Sequence, residues 1–323
     1  MTKAIRIHTT GGPEVMMYED VPRPEPGPLE IRLRHEAIGL NYIDVYFRSG
    51  LYRGPALPLI IGQEGAGLVT ETGAEVTDIK IGDRVAYAGP LGAYAAERVI
   101  SAERVVPLPS TISTRDAAAL MLQGLTAQYL LRRTYKVQQG DWIVIHAAAG
   151  GMGLLLCSWA RHLGANIIGV VSTEEKAALA RANGATHTIV GIQSLPADVK
   201  RITAGAMARV VYDSVGRDTF MASLDCLAPL GLMVSFGNAS GPVPPFDLSQ
   251  LSAKGSLFLT RPTLATYTAK RTDLLAAANE LFDLVKEGVL KAHINQVYPL
   301  ADAVLAHQAL EARQTTGSTI LVP

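Results

Sequence analysis

Apolar and polar positions alternate with period two over much of the first hundred residues. KAIRIH (3–8) and LEIRLRHEAIGL (29–40) both alternate, and the proline-rich PRPEPGP (22–28) separates them. Side chains on a strand point to opposite faces in turn, so this pattern predicts half-buried β-strands punctuated by loops. Further strands are predicted over Gly65–Thr70 and Asp83–Tyr87, with turns at Gly73 and Gly82-Asp83, and Ala93–Pro107 continues in the same manner. Between them NYIDVYFRSGLYRGPALPLIIGQ mixes Gly and Pro with Asn41, Asp44, Tyr46, Arg48 and Tyr52, and reads as a loop carrying polar and aromatic groups. The region up to about residue 110 is a small, barrel-like β domain in this reading.

The period changes at Ser113. Arg115–Leu131 predicts a helix, and from Asp141 strand and helix alternate. Predicted strands are Trp142–His146, Asn166–Val171, Thr188–Val190, Ala208–Tyr212, Gly231–Phe236 and Ser256–Thr260, with helices over Leu154–Leu163, Thr173–Asn183, Leu195–Thr203 and Thr219–Cys226. That alternation is the signature of a doubly wound parallel sheet. After Arg261-Pro262 come a long amphipathic helix, Leu274–Val289, and a tail with a strand, a helix and a closing strand. The parallel sheet has no place for this tail, which is assigned to the first, β-rich lobe.

The chemistry concentrates in HAAAGGMG (146–153). Ala148, Gly150 and Gly153 have the spacing of the dinucleotide fingerprint, with alanine in the place of the first glycine. Small residues let backbone N–H groups approach a pyrophosphate at the positive end of the following helix. A carboxylate at the end of the second strand binds a ribose 2′-hydroxyl and repels a 2′-phosphate; here the strand ends in Ser172-Thr173, with Lys176 nearby. That favours NADPH. Glu174 and Glu175 pull the other way, and Ser172 as a helix N-cap with two acids complementing the dipole accounts for the same residues.

Composition narrows the function further. With 323 residues, 48% hydrophobic, and a formal net charge of +0, the chain has material for two cores and no basic excess for nucleic acid. No apolar run reaches membrane-spanning length and the start has no signal-like core, which places the protein in the cytoplasm. Cys157 and Cys226 are the only cysteines and read as buried, reduced thiols. The β-rich lobe has no cysteine, and His8, His35, His293 and His307 show no ligand spacing, so no metal is expected. Without a Lewis acid to stabilise an alkoxide, a conjugated acceptor is a less demanding hydride partner than a simple alcohol.

The segments NYIDVYFRSGLY, GQEGAG, GDRVAY, GAYAAE, QGLTAQYLL, HAAAGGMG, VVYDSVGRDT, GLMVSFGN, SLFLTRP and GSTILVP span nearly the whole chain. In this order they resemble the zinc-free quinone oxidoreductases of the medium-chain dehydrogenase/reductase superfamily. The resemblance implies an α/β protein with a GroES-like β-rich catalytic domain in two pieces, 1–122 and 262–323, around a Rossmann domain, 123–261. It implies NADPH as cofactor, a quinone or other conjugated carbonyl as substrate, and a homodimer with SLFLTRP as a sheet edge. Asn41, Tyr42, Ile43, Asp44 and Val45 would lie on the nicotinamide side, with Asn41, Asp44, Tyr46 and Tyr52 as catalytic candidates. Tyr129, Ala148, Gly150, Gly151, Met152 and Gly153 would contact the cofactor, and Ser172, Thr173 and Lys176 its 2′-phosphate. Ser214, Phe236, Gly237, Asn238, Ala239, Thr260, Arg261 and Pro262 would line its path, with Arg313 reaching it from the tail. GQEGAG stands where metal-dependent relatives carry a zinc ligand in GHE, and Gly191 stands where relatives often have a tyrosine near the adenosine. An alkenal or enone reductase would use the same site. An RNA-binding or structural role, the alternative of another class, is opposed by the neutral charge.

Overall fold

The computed structural model describes residues 1–323 and divides into two compact units, 1–125 with 268–323, and 126–267. In the first unit, strands β1 (Thr2–Ile7), β2 (Met16–Val21), β3 (Glu30–Leu40), β4 (Leu59–Ile60), β5 (Glu64–Thr72), β6 (Arg84–Ala88), β7 (Glu97–Ser101) and β8 (Val106–Pro107) follow the predicted alternation. Strand β3 is the organiser: it pairs antiparallel with β5 and with β7, and its far end pairs with the closing strand of the chain. The apolar positions of these strands form one core around Ile31, Leu33, Ile38, Val69, Val85, Tyr87 and Tyr94.

One expectation is corrected here. The segment after β3 is not all loop: Tyr42–Arg48 is a helix, α1. Asn41 has extended backbone as its N-cap, and the Asp44 carboxylate three residues on accepts the Asn41 N–H at 2.9 Å. The last residue, Arg48, is turned inward and 1% exposed. A helix this short is marginal alone and is held by what its inward face meets.

Helix α2 (Thr114–Tyr129) ends in a π-helical turn, Leu130–Thr134, where the sequence predicts an α-helix to Leu131. The Leu130 carbonyl takes the Tyr135 N–H at 3.2 Å and the Tyr212 hydroxyl at 3.1 Å. In the second unit, β9 (Trp142–His146), α3 (Gly151–His162), β10 (Asn166–Val171), α4 (Glu174–Ala182), β11 (His187–Val190), α5 (Leu195–Ile202), β12 (Ala208–Asp213), α6 (Phe220–Leu224) and β13 (Leu227–Ser235) alternate as predicted. Short helices α7 (Ser249–Ala253) and α8 (Leu264–Tyr267) flank the last strand, β14 (Phe258–Thr260). All pairings are parallel, in the order β11-β10-β9-β12-β13-β14. That is the dinucleotide-binding topology, with its order reversal between β9 and β12. Cys157 and Cys226 are buried free thiols, each pushed up to about 12 by burial.

The tail comprises α9 (Arg271–Lys286), β15 (Ile294–Pro299), α10 (Ala303–Glu311) and β16 (Ser318–Val322), and β16 pairs antiparallel with β3. No helix is long and apolar enough to cross a membrane.

Candidate active site

Each unit gathers its own set of polar groups. In the second, the turn between β9 and α3 is built without slack. Ala147 takes a left-handed backbone, φ +49°, at a steric cost of roughly 1–2 kcal/mol. Ala148 is fully buried, and a methyl placed on Gly169 of the neighbouring β10 would come within 2.9 Å of its own. The glycine missing from the turn is thus compensated across the sheet. Gly153 closes the start of α3 against the turn, where a Cβ would lie 2.6 Å from the Ala148 Cα. Helix α3 begins at Gly150 with no side-chain cap and no acid in its first turn, so the N–H groups of Gly151, Met152 and Gly153 have no side chain to satisfy them. Such an end fits a pyrophosphate.

At the end of β10 no carboxylate stands. Thr173, not Ser172, is the N-cap of α4: its hydroxyl accepts the Lys176 N–H at 3.2 Å, which leaves the exposed Ser172 hydroxyl outside the cap. Strands β12, β13 and β14 bring the other predicted residues together at their carboxyl ends. Gly237 packs so tightly on Ser214 that a Cβ would lie 2.8 Å from the Ser214 Cα, and the Ala239 N–H donates to the Ser214 carbonyl at 3.2 Å. Arg261 donates to the Gly237 carbonyl at 2.9 Å and to Ser235 Oγ at 3.1 Å. Tyr129 is 3% exposed and stacks on Tyr267, ring centroids 4.4 Å apart, so one of its faces is covered. Gly191 has φ +82°, a backbone that glycine adopts without strain and tyrosine does not.

Sequence reasoning missed a buried triad beneath these loops. Ser223 donates to Asp213 Oδ2 at 3.0 Å and lies 2.9 Å from His146 Nε2, while Asp213 Oδ1 accepts the Val215 and Gly216 N–H groups. The serine bridges the other two and is fully buried, so it braces the loop after β12 and is no nucleophile.

In the first unit, Tyr42 and Ile43 lie on the partly exposed side of α1, whereas Asp44, Val45 and Tyr46 face inward. Asp44 is 0% exposed. Its Oδ2 accepts the Asn41 N–H and, at 3.1 Å, the Tyr94 hydroxyl, and its Oδ1 has no hydrogen-bond partner. Tyr94 in turn lies 2.9 Å from His307 Nε2, and Arg48 donates to His307 Nδ1 at 3.0 Å. Because arginine only donates, His307 carries its proton on Nε2, and the chain of donors runs from Arg48 through His307 and Tyr94 to Asp44. Tyr46, 7% exposed, packs between Tyr42 and Tyr52, at ring centroid distances of 5.9 and 5.1 Å. Burial removes Tyr46 from easy reach of a ligand; Tyr52 remains half-buried. Arg313, exposed after α10, lies close enough to Tyr42 to act on its phenol.

Burial dominates the titration of this cluster. It pushes Asp44 up to about 7 against hydrogen bonds from Asn41 and Tyr94, and Glu64 up to about 8 against those from Leu122 and Asn41. Burial pushes His307 down to about 3, helped by Arg48, and His35 down to about 3, helped by Arg98. The two acids hold protons in the folded chain that the unfolded chain releases above about pH 4.5, so their contribution falls as pH rises, until about 8. The two histidines remain neutral when the unfolded chain takes up protons below about pH 6.5, so theirs falls as pH drops toward 3. The opposed slopes, on the order of 1 kcal/mol per pH unit per group, work against each other between about pH 4.5 and 6.5, where His146 and His293, both lowered by burial, add to the histidine side. Urea unfolding at stepped pH is therefore expected to show a maximum near about pH 6.5, with a loss on the order of 2 kcal/mol between about pH 6.5 and 8. A stability that climbs steadily from about pH 5 to 8 would contradict these assignments.

No group of three or more His, Cys, Asp or Glu side chains is arranged to hold a metal ion. His35 is taken up by the Ala95 carbonyl at 2.7 Å and the Tyr87 hydroxyl at 2.8 Å.

Comparison with known proteins agrees with this geometry. Residues 27–110 match the alcohol dehydrogenase GroES-like domain and residues 151–276 match the zinc-binding dehydrogenase family. The chain is 54% identical to a quinone oxidoreductase of Pseudomonas aeruginosa, over 100% of both chains. Among solved structures, the quinone oxidoreductase of Pseudomonas syringae pv. Tomato DC3000 has a TM-score of 0.98 and 52% identity over 100% of both chains. The Escherichia coli quinone oxidoreductase complexed with NADPH has a TM-score of 0.97 and 48% identity, covering 99% of this chain and 100% of that one. With whole-length identity at this level, the protein belongs to the quinone oxidoreductase family of the medium-chain dehydrogenase/reductase superfamily.

Proposed function

We propose that the protein reduces quinones, and related conjugated carbonyls, with NADPH. One observation carries this reading: an uncapped helix start behind an alanine-glycine turn at the β9–β12 order reversal, with hydroxyls and a lysine rather than a carboxylate at the end of β10. When bound, NADPH supplies a hydride from C4 of its nicotinamide, and a proton completes the hydroquinone.

The residues of the chain bind and orient. The turn from Ala148 to Gly153 holds the pyrophosphate, Ser172, Thr173 and Lys176 receive the 2′-phosphate, and Ser214, Phe236–Ala239 and Thr260–Pro262 line the path between. Asn41, Tyr42 and Ile43 attend the nicotinamide end together with Arg313. Asp44 and Val45 support them from behind. Tyr52, the more exposed of the two tyrosine candidates, donates to the acceptor oxygen, and Tyr46 packs against it. No metal takes part in this reading, because both cysteines lie in the nucleotide-binding unit and His35 and His307 are bonded within the core of the other. The reading includes a cytoplasmic homodimer joined at the free edge of β14, where Phe258 is 59% exposed.

The test is to follow oxidation of NADPH and NADH with a chelator present, offering a small quinone, an enone and a primary alcohol. Quinone turnover with NADPH is expected to exceed that with NADH by at least about tenfold, the difference of one 2′-phosphate contact set, and to exceed turnover of the enone and the alcohol with NADPH. Faster turnover of the enone would transfer the protein to C=C reduction, and alcohol turnover lost to the chelator would overturn the metal-free reading.

A further inference from the structure

Glu64, the first residue of β5, is 1% exposed and has only neutral partners. Its Oε1 accepts the Leu122 N–H of α2 at 2.7 Å and its Oε2 accepts Asn41 Nδ2 at 2.6 Å. Room for the carboxylate is made on β3, where Gly39 stands opposite Glu64 and a side chain would overlap both the carboxylate and the Ala118 carbonyl. On its other side the Asn41 amide is held as well: Gln123 Nε2 donates to Asn41 Oδ1 at 3.1 Å, and Gln123 Oε1 accepts Ser318 Oγ at 3.2 Å. A carboxylate buried among neutral donors is less favourable than an apolar side chain of the same volume, so its presence calls for a use beyond filling space. A second feature points to that use. Nδ2 of Asn41 has two hydrogens, and only one of them has an acceptor.

We propose that Glu64 is a positioning residue for the cofactor: with Gln123 it fixes the Asn41 amide in one of its two orientations and so keeps an Nδ2 hydrogen available as a donor to the nicotinamide end of NADPH. This rests on the reading above that Asn41 meets that end. In its ionised form, above about pH 8, Glu64 decides the orientation. A carboxylate accepts only, so Asn41 must turn Nδ2 toward it and Oδ1 toward Gln123. In E64Q one oxygen becomes a donor. With Leu122 N–H retaining the remaining oxygen, the new NH2 faces Asn41, which satisfies it only by reversing its amide; Gln123 reverses in turn and donates to Ser318. The fold keeps its hydrogen bonds while the polarity that Asn41 offers is inverted.

Three variants of the full-length protein test this at about pH 9, where Glu64 is ionised, read by NADPH titration, melting temperature and single-turnover hydride transfer with 4-deuterated NADPH. E64Q is expected to bind NADPH about tenfold more weakly and to transfer hydride roughly 10–100-fold more slowly, the scale of a misaligned contact, with a small change in melting temperature. In the charge-swapped N41D/E64Q, the carboxylate introduced on the N-cap of α1 accepts both from the amide introduced on β5 and from Gln123, so the hydrogen bonds are complete again but the N–H donor is gone. Its melting temperature is expected to match the wild type while the loss of NADPH affinity and rate persists. N41A is expected to lose affinity comparably. If N41D/E64Q regains affinity and rate along with stability, or if E64Q binds and reacts as the wild type while N41A does not, the positioning role is overturned. If N41A itself leaves affinity and rate unchanged, it is the reading of Asn41 as a cofactor contact that fails.

Discussion

Gly153→Val is expected to abolish NADPH binding, raising the dissociation constant at least about 100-fold, while Gly150→Ala changes it only a few-fold. The two glycines lie in the same turn, and the contrast comes from what each one faces. A Cβ at Gly150 meets only the Ala147 carbonyl oxygen, at 3.4 Å, an ordinary contact. At Gly153 it would lie 2.6 Å from the Ala148 Cα and 2.7 Å from its carbonyl carbon, so backbone must move. The turn has little freedom to do so. Ala147 is already left-handed, Ala148 is fully buried against β10, and the Ala148 N–H is bonded to the Val170 carbonyl at 3.1 Å. The start of α3 must therefore swing away, and the N–H groups of Gly151, Met152 and Gly153 no longer converge on one anion. Overpacking of this kind also costs roughly 1–3 kcal/mol, which a melting curve separates from the binding loss. Fluorescence titration of both variants decides the matter, since equal losses at Gly150 and Gly153 would remove the turn's packing as the cause.

How much of this was legible in the sequence follows from how local each feature is. The stretch from Trp142 to His162 is a strand, a turn and a helix formed from neighbouring residues, and periodicity with turn composition finds it. Alanine in place of the first glycine is explained only by Gly169, on the next strand, whose pairing with β9 no local pattern states. Helix α1 was hidden for a related reason. Its sequence, YIDVYFR, carries polar residues where a surface helix would show an apolar stripe, because its inward face is built from Asp44 and Arg48 rather than from aliphatic side chains. Those two are made tolerable inside by Tyr94, His307 and Glu311, which lie far off in the chain. The N-cap of α4 fell one residue later than Ser172 because serine and threonine are both N-cap residues and stand side by side. Glu64 was visible within GQEGAG as a motif residue, yet its grip on Asn41 depends on pairing between β3 and β5.

Arg48→Met is expected to lower stability by about 3–5 kcal/mol, the cost of breaking a buried ionic group on one side only. The guanidinium is 1% exposed, pairs with both carboxylate oxygens of Glu311 at 2.9 and 2.8 Å, donates to His307 Nδ1 at 3.0 Å and reaches the Gly11 carbonyl at 3.2 Å. Methionine matches its stem and none of these bonds, so the carbonyl of Gly11 and Nδ1 of His307 lose their donor in a dry place. Glu311 is expected to matter less, roughly 1 kcal/mol on Glu311→Gln, because its side chain is 33% exposed and water can solvate what Arg48 leaves. The double variant Arg48→Met/Glu311→Gln is expected to cost less than the sum of the two, since each single change already breaks the pair. Function should follow stability here by a physical route: Arg48 ends the helix that Asn41 begins, and the donor chain from Arg48 through His307 and Tyr94 stops at the carboxylate that caps it. Urea unfolding of the three variants measures the effect, and a loss under about 1 kcal/mol for Arg48→Met would mean that α1 is held by its tyrosines, not by its arginine.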